Sequence, residues 1–328
     1  MLDLLVIGAG PCGLAVAVEA RRAGLSLLVV EKGTLTDALV RFPRQMTFFS
    51  TAELLEIGGY PFVSARPRPT RQEALEYYRR VAERESLPLR LWERAEAPRR
   101  LAGGGFAVPT ERRDGGRDEL RARCVVLATG YFDHPNLLGV PGEELEKVSH
   151  YYDEPYRYVG QEVLVVGGRN SAVETAMDLE RHGARVTLVH RGPGLSEKVK
   201  PWVRPEMESL LAKGRVRAYW GSRVRAIRPD AVELETPEGP RTLANDFVLA
   251  MTGYRPDHRL LREAGVGIDP ASGAPVHDPS SMETDVPGLF VAGVFAAGND
   301  ANSVFIENGR LHARPVVRRV QAILGRAS

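Results

Sequence analysis

Leu4-Leu-Val-Ile-Gly-Ala-Gly-Pro-Cys-Gly13, a helical run Leu14–Ala23, and then Leu27-Leu-Val-Val-Glu31 form the stretch on which the fold turns. A short, almost wholly apolar run that ends on glycine suits a parallel strand buried on both faces. The G-x-G-x-x-G pattern is weak alone. Here a strand precedes it, a helix follows it, and an acid closes the next strand, which is the context of a dinucleotide turn. Glycines permit the tight turn and the approach of backbone to a pyrophosphate, and the helix N-terminus supplies donors and positive potential. Glu31 can accept from both ribose hydroxyls and would repel a 2′-phosphate. The plainer alternative is a structural glycine turn beside an ordinary surface glutamate. Gly8, Gly10, Pro11, Gly13, Glu31 and Lys32 are the candidate residues of this first nucleotide site.

The layout returns at Val163-Leu-Val-Val-Gly-Gly-Arg-Asn-Ser-Ala172, a helical run Ala172–His182, and Val186-Thr-Leu-Val-His-Arg191. Gly167, Gly168, Arg169, Asn170 and Ser171 are its turn candidates. At the ribose position stands His190-Arg191 in place of an acid. A cationic pair there favours a 2′-phosphate, which Arg191 can hold through two hydrogen bonds, so the second nucleotide is expected to be NADPH. The alternative is a solvated loop charge. Arg169 occupies the place of an expected glycine. Either its backbone tolerates the turn and its guanidinium covers the pyrophosphate, or nucleotide binding is weakened.

Further apolar runs at Leu25–Val30, Cys124–Leu127, Phe247–Met251 and Leu289–Ala292 alternate with helical patterns. The expected fold class is α/β, with two Rossmann-like three-layer domains. Arg99–Arg123 and Arg215–Phe247 read as β-meanders, the second carrying the alternating Ala231-Val-Glu-Leu-Glu235. Pro135–Pro141 and Arg255–Asp257 look like linkers. The second domain, residues 141–255, is then inserted into a discontinuous first domain of residues 1–140 and 256–328.

The chain has 328 residues, 43% of them hydrophobic and 26% charged, an ordinary globular mix that excludes a disordered or fibrous chain. A net charge of +2 gives no reason to expect nucleic acid or an acidic membrane. Only five of the 44 basic residues are lysine, which reads as codon bias. The two cysteines, Cys12 and Cys124, form no C-x-x-C pair, so zinc ribbons and dithiol motifs are absent. The histidines have no metal-like spacing. No signal peptide and no membrane-spanning run is read, so a cytoplasmic protein is expected.

Ala128-Thr-Gly130, Leu249-Ala-Met-Thr-Gly-Tyr-Arg-Pro-Asp257 and Pro287-Gly-Leu-Phe-Val-Ala-Gly293 resemble the hallmark segments of two-domain flavoprotein reductases of the thioredoxin reductase type. The likeness covers nearly the whole chain. It implies FAD at the first glycine turn and NADPH at the second, with Ala128, Thr129, Gly130 and Gly293 among the FAD residues. Thioredoxin reductases carry a C-x-x-C where this chain has His150 and Asp153, so the dithiol is missing. Their Gly-Asp is here Gly293-Val294, which removes an acidic flavin contact. The first turn, Gly167-Gly-Arg-Asn-Ser-Ala-Val-Glu174, Gln45-Met-Thr-Phe-Phe-Ser50, Lys200-Pro-Trp-Val203 and the run from Ala292 to Gly309 are similar to the YpdA-type bacillithiol disulfide reductases. That resemblance implies NADPH-driven reduction of an oxidised small-molecule thiol by a homo-oligomer.

Cys12 lies at a helix mouth, where the N-terminus lowers a thiol pKa, so it is the candidate catalytic thiolate. The alternative is a small residue filling a tight helix–sheet contact. Cys124, on a core strand, reads as inert packing. Gln45 is a candidate flavin hydrogen-bonder. Glu307, Asn308 and Gly309 are expected at the start of the last helix, with backbone donors for the flavin. Asn299, Asp300 and Asn302 are candidates to replace the missing acid. The expected function is NADPH-dependent bacillithiol disulfide reduction. A ferredoxin- or flavodoxin-NADP reductase and a non-catalytic redox sensor are the competing readings.

Overall fold

The computed structural model describes residues 1–299 and 303–326. Two compact units are present: Met1–Arg41 with Gln45–His134 and Tyr254–Ser328, and Pro135–Gly253 with Phe42–Arg44. These divisions differ by a few residues from the linkers read in the sequence. The Asn136 amide N–H donates to the Gly253 carbonyl (2.9 Å), and the Thr252 hydroxyl donates to the Asn136 carbonyl (2.5 Å). Those bonds place residues 135–140 in the second unit. The Arg44 guanidinium pairs with Asp153 (3.1 Å), which groups 42–44 there as well.

In the first unit a parallel sheet runs in the order Leu89–Leu91, Leu27–Glu31, Leu2–Ile7, Arg117–Leu127, Leu289–Val291. Arg117–Leu127 does two jobs. Its first half opens on three exposed residues, alternates exposed and buried from Glu119 to Arg123, and pairs antiparallel with Phe106–Arg112. Its last four residues are all buried and pair in parallel with Leu2–Ile7. The change from alternation to a continuous apolar run marks where the sheet becomes covered on both faces. The helix after the first strand spans Pro11–Arg22 and begins ahead of the apolar periodicity. Pro11 causes this: its fixed φ and missing N–H suit the first helical position.

In the second unit the parallel order is Val216–Tyr219, Arg185–Val189, Glu162–Val166, Phe247–Ala250, Val148–Ser149. The helix Asn170–Arg181 buries Val173, Ala176, Met177 and Leu179 in the core beside Val163, Val165, Val186 and Leu188. Arg223–Ile227, Ala231–Thr236 and Gly239–Ala244 form a separate antiparallel sheet. In both units the strand leading into the glycine turn is central, with its next strand in the chain on one side and a later one on the other. The strand order reverses there, and the crevice beyond the carboxyl ends is where α/β sheets take ligands. Among the described residues no helix is long and apolar enough to cross a membrane.

Candidate functional site

The three glycines of the first turn do three different things. Gly8 has φ +110°, and a Cβ there would stand 2.4 Å from the Ala128 carbonyl oxygen. Gly13 would bring a Cβ to 2.0 Å from the Gly8 carbonyl oxygen, so the helix can lie on the strand only without one. Gly10 meets nothing within 4 Å, which leaves an open face on the turn. It is also the N-cap and has no side chain to satisfy the first-turn amides. Those amides remain available to an anion.

Glu31 is buried at the end of its strand. Its carboxylate accepts from the amides of Ala9 (2.9 Å) and Gly33 (2.9 Å). Burial pushes its pKa up, against the opposing pull of these two bonds. Each oxygen retains a second lone pair, so ribose hydroxyls can still be held. Ala128, Thr129 and Gly130 follow the strand that flanks Gly8, and the buried Thr129 hydroxyl has no partner among the described residues. A buried hydroxyl left unpaired is costly, and a ligand supplies what is missing. An open glycine face, uncapped amides, an acid at the ribose end and an orphan hydroxyl together fit a dinucleotide.

Other first-unit residues sit differently from the expectation. The Lys32 ammonium is engaged by Asp133 (2.5 Å), which also pairs with Arg41. The two cations hold the Asp133 pKa down in spite of its burial. Gln45 is exposed in irregular chain. Asn308 caps its own short helix: its Oδ1 accepts from the Phe305 amide (2.7 Å) and its Nδ2 donates to the Ser303 carbonyl (2.8 Å). Glu307 accepts from the Ser50 hydroxyl (2.6 Å). The segment opens a four-residue helix, Ile306–Gly309, and not the long last helix Ala313–Ile323. The Gly309 amide is already bonded to the Phe305 carbonyl (2.8 Å), so it is no free donor. Asp300 and Asn302 lie outside the described residues.

Cys12 is packed more tightly than its place at a helix mouth suggests. A Cβ on Gly293 would stand 3.0 Å from its Sγ, and one on Gly309 also 3.0 Å. Although part of the residue's surface is open, the thiol itself is packed into this contact. Burial pushes its pKa up to about 12, opposite to the lowering expected from the helix terminus. Cys12 is therefore expected to alkylate with iodoacetamide at pH 8 far more slowly than a free thiol, by about a hundredfold or more. Peptide mass spectrometry checks this; labelling as fast as free cysteine would show an activated thiolate after all. Cys124 is fully buried, and burial likewise pushes its pKa up to about 12.

The second turn resolves the question about Arg169. That residue is the N-cap with φ −107°, ordinary extended backbone, so the turn tolerates it without strain. Gly167 takes the demanding conformation (φ +147°), and a Cβ there would stand 2.6 Å from the Met251 carbonyl oxygen. A Cβ on Gly168 would strike the His190 ring at 2.5 Å. Asn170 is tied at both ends: Nδ2 donates to the Lys198 carbonyl (3.2 Å), and Oδ1 accepts from the Lys200 amide (2.9 Å). Ser171 and Arg191 are exposed. His190 is not half of a cationic pair. Burial first, then the charges of Arg191 and Arg169, hold its pKa below the usual histidine value. It is a neutral wedge against Gly168 and Gly192. Arg191 and Arg169 carry the positive charge.

Comparison with known proteins fits this geometry. The family model for pyridine nucleotide-disulphide oxidoreductases matches residues 5–293. The chain belongs to that family. It is 41% identical to the bacilliredoxin reductase Bdr of Bacillus subtilis over 317 residues, 96% of each protein. The solved bacillithiol disulfide reductase Bdr (YpdA) of Bacillus cereus superposes with a TM-score of 0.95 at 42% identity, covering 98% of both chains. The Staphylococcus aureus protein of the same name gives 0.92 at 35%, again over 98% of both. As a pyridine nucleotide-disulphide oxidoreductase, this chain is a flavoprotein that uses FAD and NAD(P)H.

Sequence reasoning missed the Asp133 clamp on Lys32 and Arg41, and the bond from the Gly293 amide to His312. Neither has a local signature, because the partners lie many residues apart. The one available hint was the position of Asp133 just beyond Ala128-Thr-Gly130.

Proposed function

We propose that this oxidoreductase uses NADPH to reduce bacillithiol disulfide to two bacillithiol molecules. In this reading it acts in the cytoplasm as a homo-oligomer, with FAD at the first turn and NADPH at the second. The observation that carries the proposal is end-to-end similarity to proteins named for that reaction, 42% identity over 98% of both chains in one case. Arg191 at the ribose end of the second turn favours the phosphorylated nicotinamide cofactor. Bound at the first turn, the flavin would supply two-electron transfer between nicotinamide and disulfide.

The chain's own work is binding and orientation. The uncapped amides after Gly10 would hold the pyrophosphate, Glu31 would hold the ribose, and the Thr129 hydroxyl would gain a partner. Cys12 enters as a neutral thiol closing the contact with Gly293 and Gly309. A nucleophilic role for it would need a deprotonation that burial opposes.

The decisive experiment is anaerobic reduction of the purified yellow protein with NADPH, followed by mixing with bacillithiol disulfide, ferredoxin or no acceptor. Reoxidation by bacillithiol disulfide, with two thiols formed per NADPH consumed, is the expected result. Rapid turnover with ferredoxin alone would favour the ferredoxin reductase reading, and reduction with no acceptor turnover would favour the sensor.

A further inference from the structure

We infer that His312 is a positioning residue for the first nucleotide site, its neutral ring holding the Gly293 amide and so the backbone turn that packs on Cys12. The inference rests on the flavin reading of the first turn and names a residue that this reading does not otherwise use.

Gly293 leaves the buried strand Leu289–Val291 with φ +69°. The residue before it is still in the sheet, its amide bonded to the Leu127 carbonyl (3.0 Å). The Gly293 amide turns away and donates to His312 Nδ1 at 3.2 Å. Gly293 is buried, so without this acceptor its N–H would be an orphan. The surrounding contacts are steric: Cys12 against Gly293, and Gly309 against both, with a Gly309 Cβ only 3.0 Å from the Gly293 Cα. Steric contacts set how closely these segments approach. The hydrogen bond sets the direction of the amide, and through it the plane of the backbone over the helix mouth.

The donor identifies the state of the ring. An amide can only donate, so Nδ1 must be unprotonated and the proton lies on Nε2. A doubly protonated ring would set two donors face to face. Burial first, and then the charge of His277, keep the His312 pKa below its ordinary value. Titratable and charged groups come from each of the elements packed against its short helix. The helix Pro11–Arg22 brings the neutral Cys12 thiol and Glu19. Ile306–Gly309 brings Glu307, which accepts from Ser50. On His312's own short helix, Arg310 is bonded to the carbonyls of Glu56 and Glu307. The last helix brings Arg314, 3.8 Å from Glu19. His277, whose Nδ1 lies 2.7 Å from the Pro275 carbonyl oxygen, is the other histidine acting on it. A histidine whose folded pKa is depressed contributes stability that is present above its unfolded pKa and lost as pH falls through the folded one. The Gly293 turn should therefore loosen in mild acid.

The test compares wild type with His312→Leu, which has no acceptor, and His312→Asn, whose Oδ1 can take the place of Nδ1 but does not titrate. FAD release is followed by flavin fluorescence from pH 8 to pH 5.5, and amide hydrogen exchange of the segment 289–297 is measured in the apoprotein. His312→Leu should release FAD about tenfold faster than wild type at pH 7.5 and exchange faster in that segment. His312→Asn should stay within about twofold of wild type at pH 7.5 and remain flat into acid, where wild-type release accelerates. Wild-type-like release from His312→Leu, or an acid response retained in His312→Asn, would overturn the inference alone. A protein that takes up no FAD at any pH overturns the flavin reading first, and the exchange data then still report whether the bond to Gly293 exists.

Discussion

Gly13→Ala is expected to lower the melting temperature by about 10 °C and to leave the purified protein nearly free of flavin, whereas Gly10→Ala should fold normally and still lose FAD affinity by at least about tenfold. The contrast follows from what lies opposite each glycine. A methyl group on Gly13 would be 2.0 Å from the Gly8 carbonyl oxygen. That atom belongs to backbone and cannot rotate away, so the helix must lift from the strand Leu2–Ile7. The lift breaks packing made by Leu14, Val16 and Ala17, all fully buried. Overpacking of this kind costs about 3 kcal/mol, the upper end of the usual range, because the obstacle is main chain. Gly10 has nothing within 4 Å, so a methyl group there costs the fold little. It would, however, occupy the open face where a pyrophosphate must approach the uncapped amides. Differential scanning fluorimetry and flavin content per chain separate the two effects. Equal flavin content in wild type and Gly10→Ala would mean that the dinucleotide does not lie on that face.

The two glycine turns were legible in the sequence because their requirements are local. A parallel strand, a positive φ, an uncapped helix start and a charge at the end of the next strand all fall within about 30 residues. The strand Glu162–Val166 is found where the apolar run placed it. The helices begin earlier than their periodicity, since Pro11 and Asn170 are turn residues that also serve as first helical residues. What stayed hidden is protonation. His190 and Cys12 carry their types in the sequence, but their charges depend on burial by distant segments. Helix position argued for a thiolate at Cys12, whereas Gly293 and Gly309, from the far end of the chain, pack against its sulfur, and burial raises its pKa. Adjacency to Arg191 argued for a cationic His190. Its own burial and that same arginine keep it neutral. The Asn308 side chain likewise looked available until its helix proved short enough for it to be the cap.

Arg191→Ala should cut kcat/KM for NADPH by about thirtyfold to a hundredfold while changing that for NADH by less than about threefold. The asymmetry would arise because the residue follows the strand Arg185–Val189 and is exposed, and in the proposed reading it meets the ribose end, where the two cofactors differ by one phosphate. Arg169→Ala is the matching control. In the proposed reading this helix N-cap stands by the pyrophosphate common to both cofactors, so the substitution should weaken NADPH and NADH alike. The neutrality of His190 adds a pH signature. Were the imidazole the second cation, preference for NADPH would fall as pH rose through the ordinary histidine range. Because burial and the two arginines hold its pKa below that range, the ratio of kcat/KM values should stay level from about pH 6.5 to about pH 8. His190→Asn would then disturb the turn by vacating the space beside Gly168 and Gly192, raising KM for both cofactors without altering their ratio. Steady-state rates with both cofactors over that pH range test the whole assignment. A selective loss of NADPH use in His190→Asn, with Arg191→Ala unaffected, would move the 2′-phosphate contact from the guanidinium to the imidazole and reverse the roles given to these neighbours.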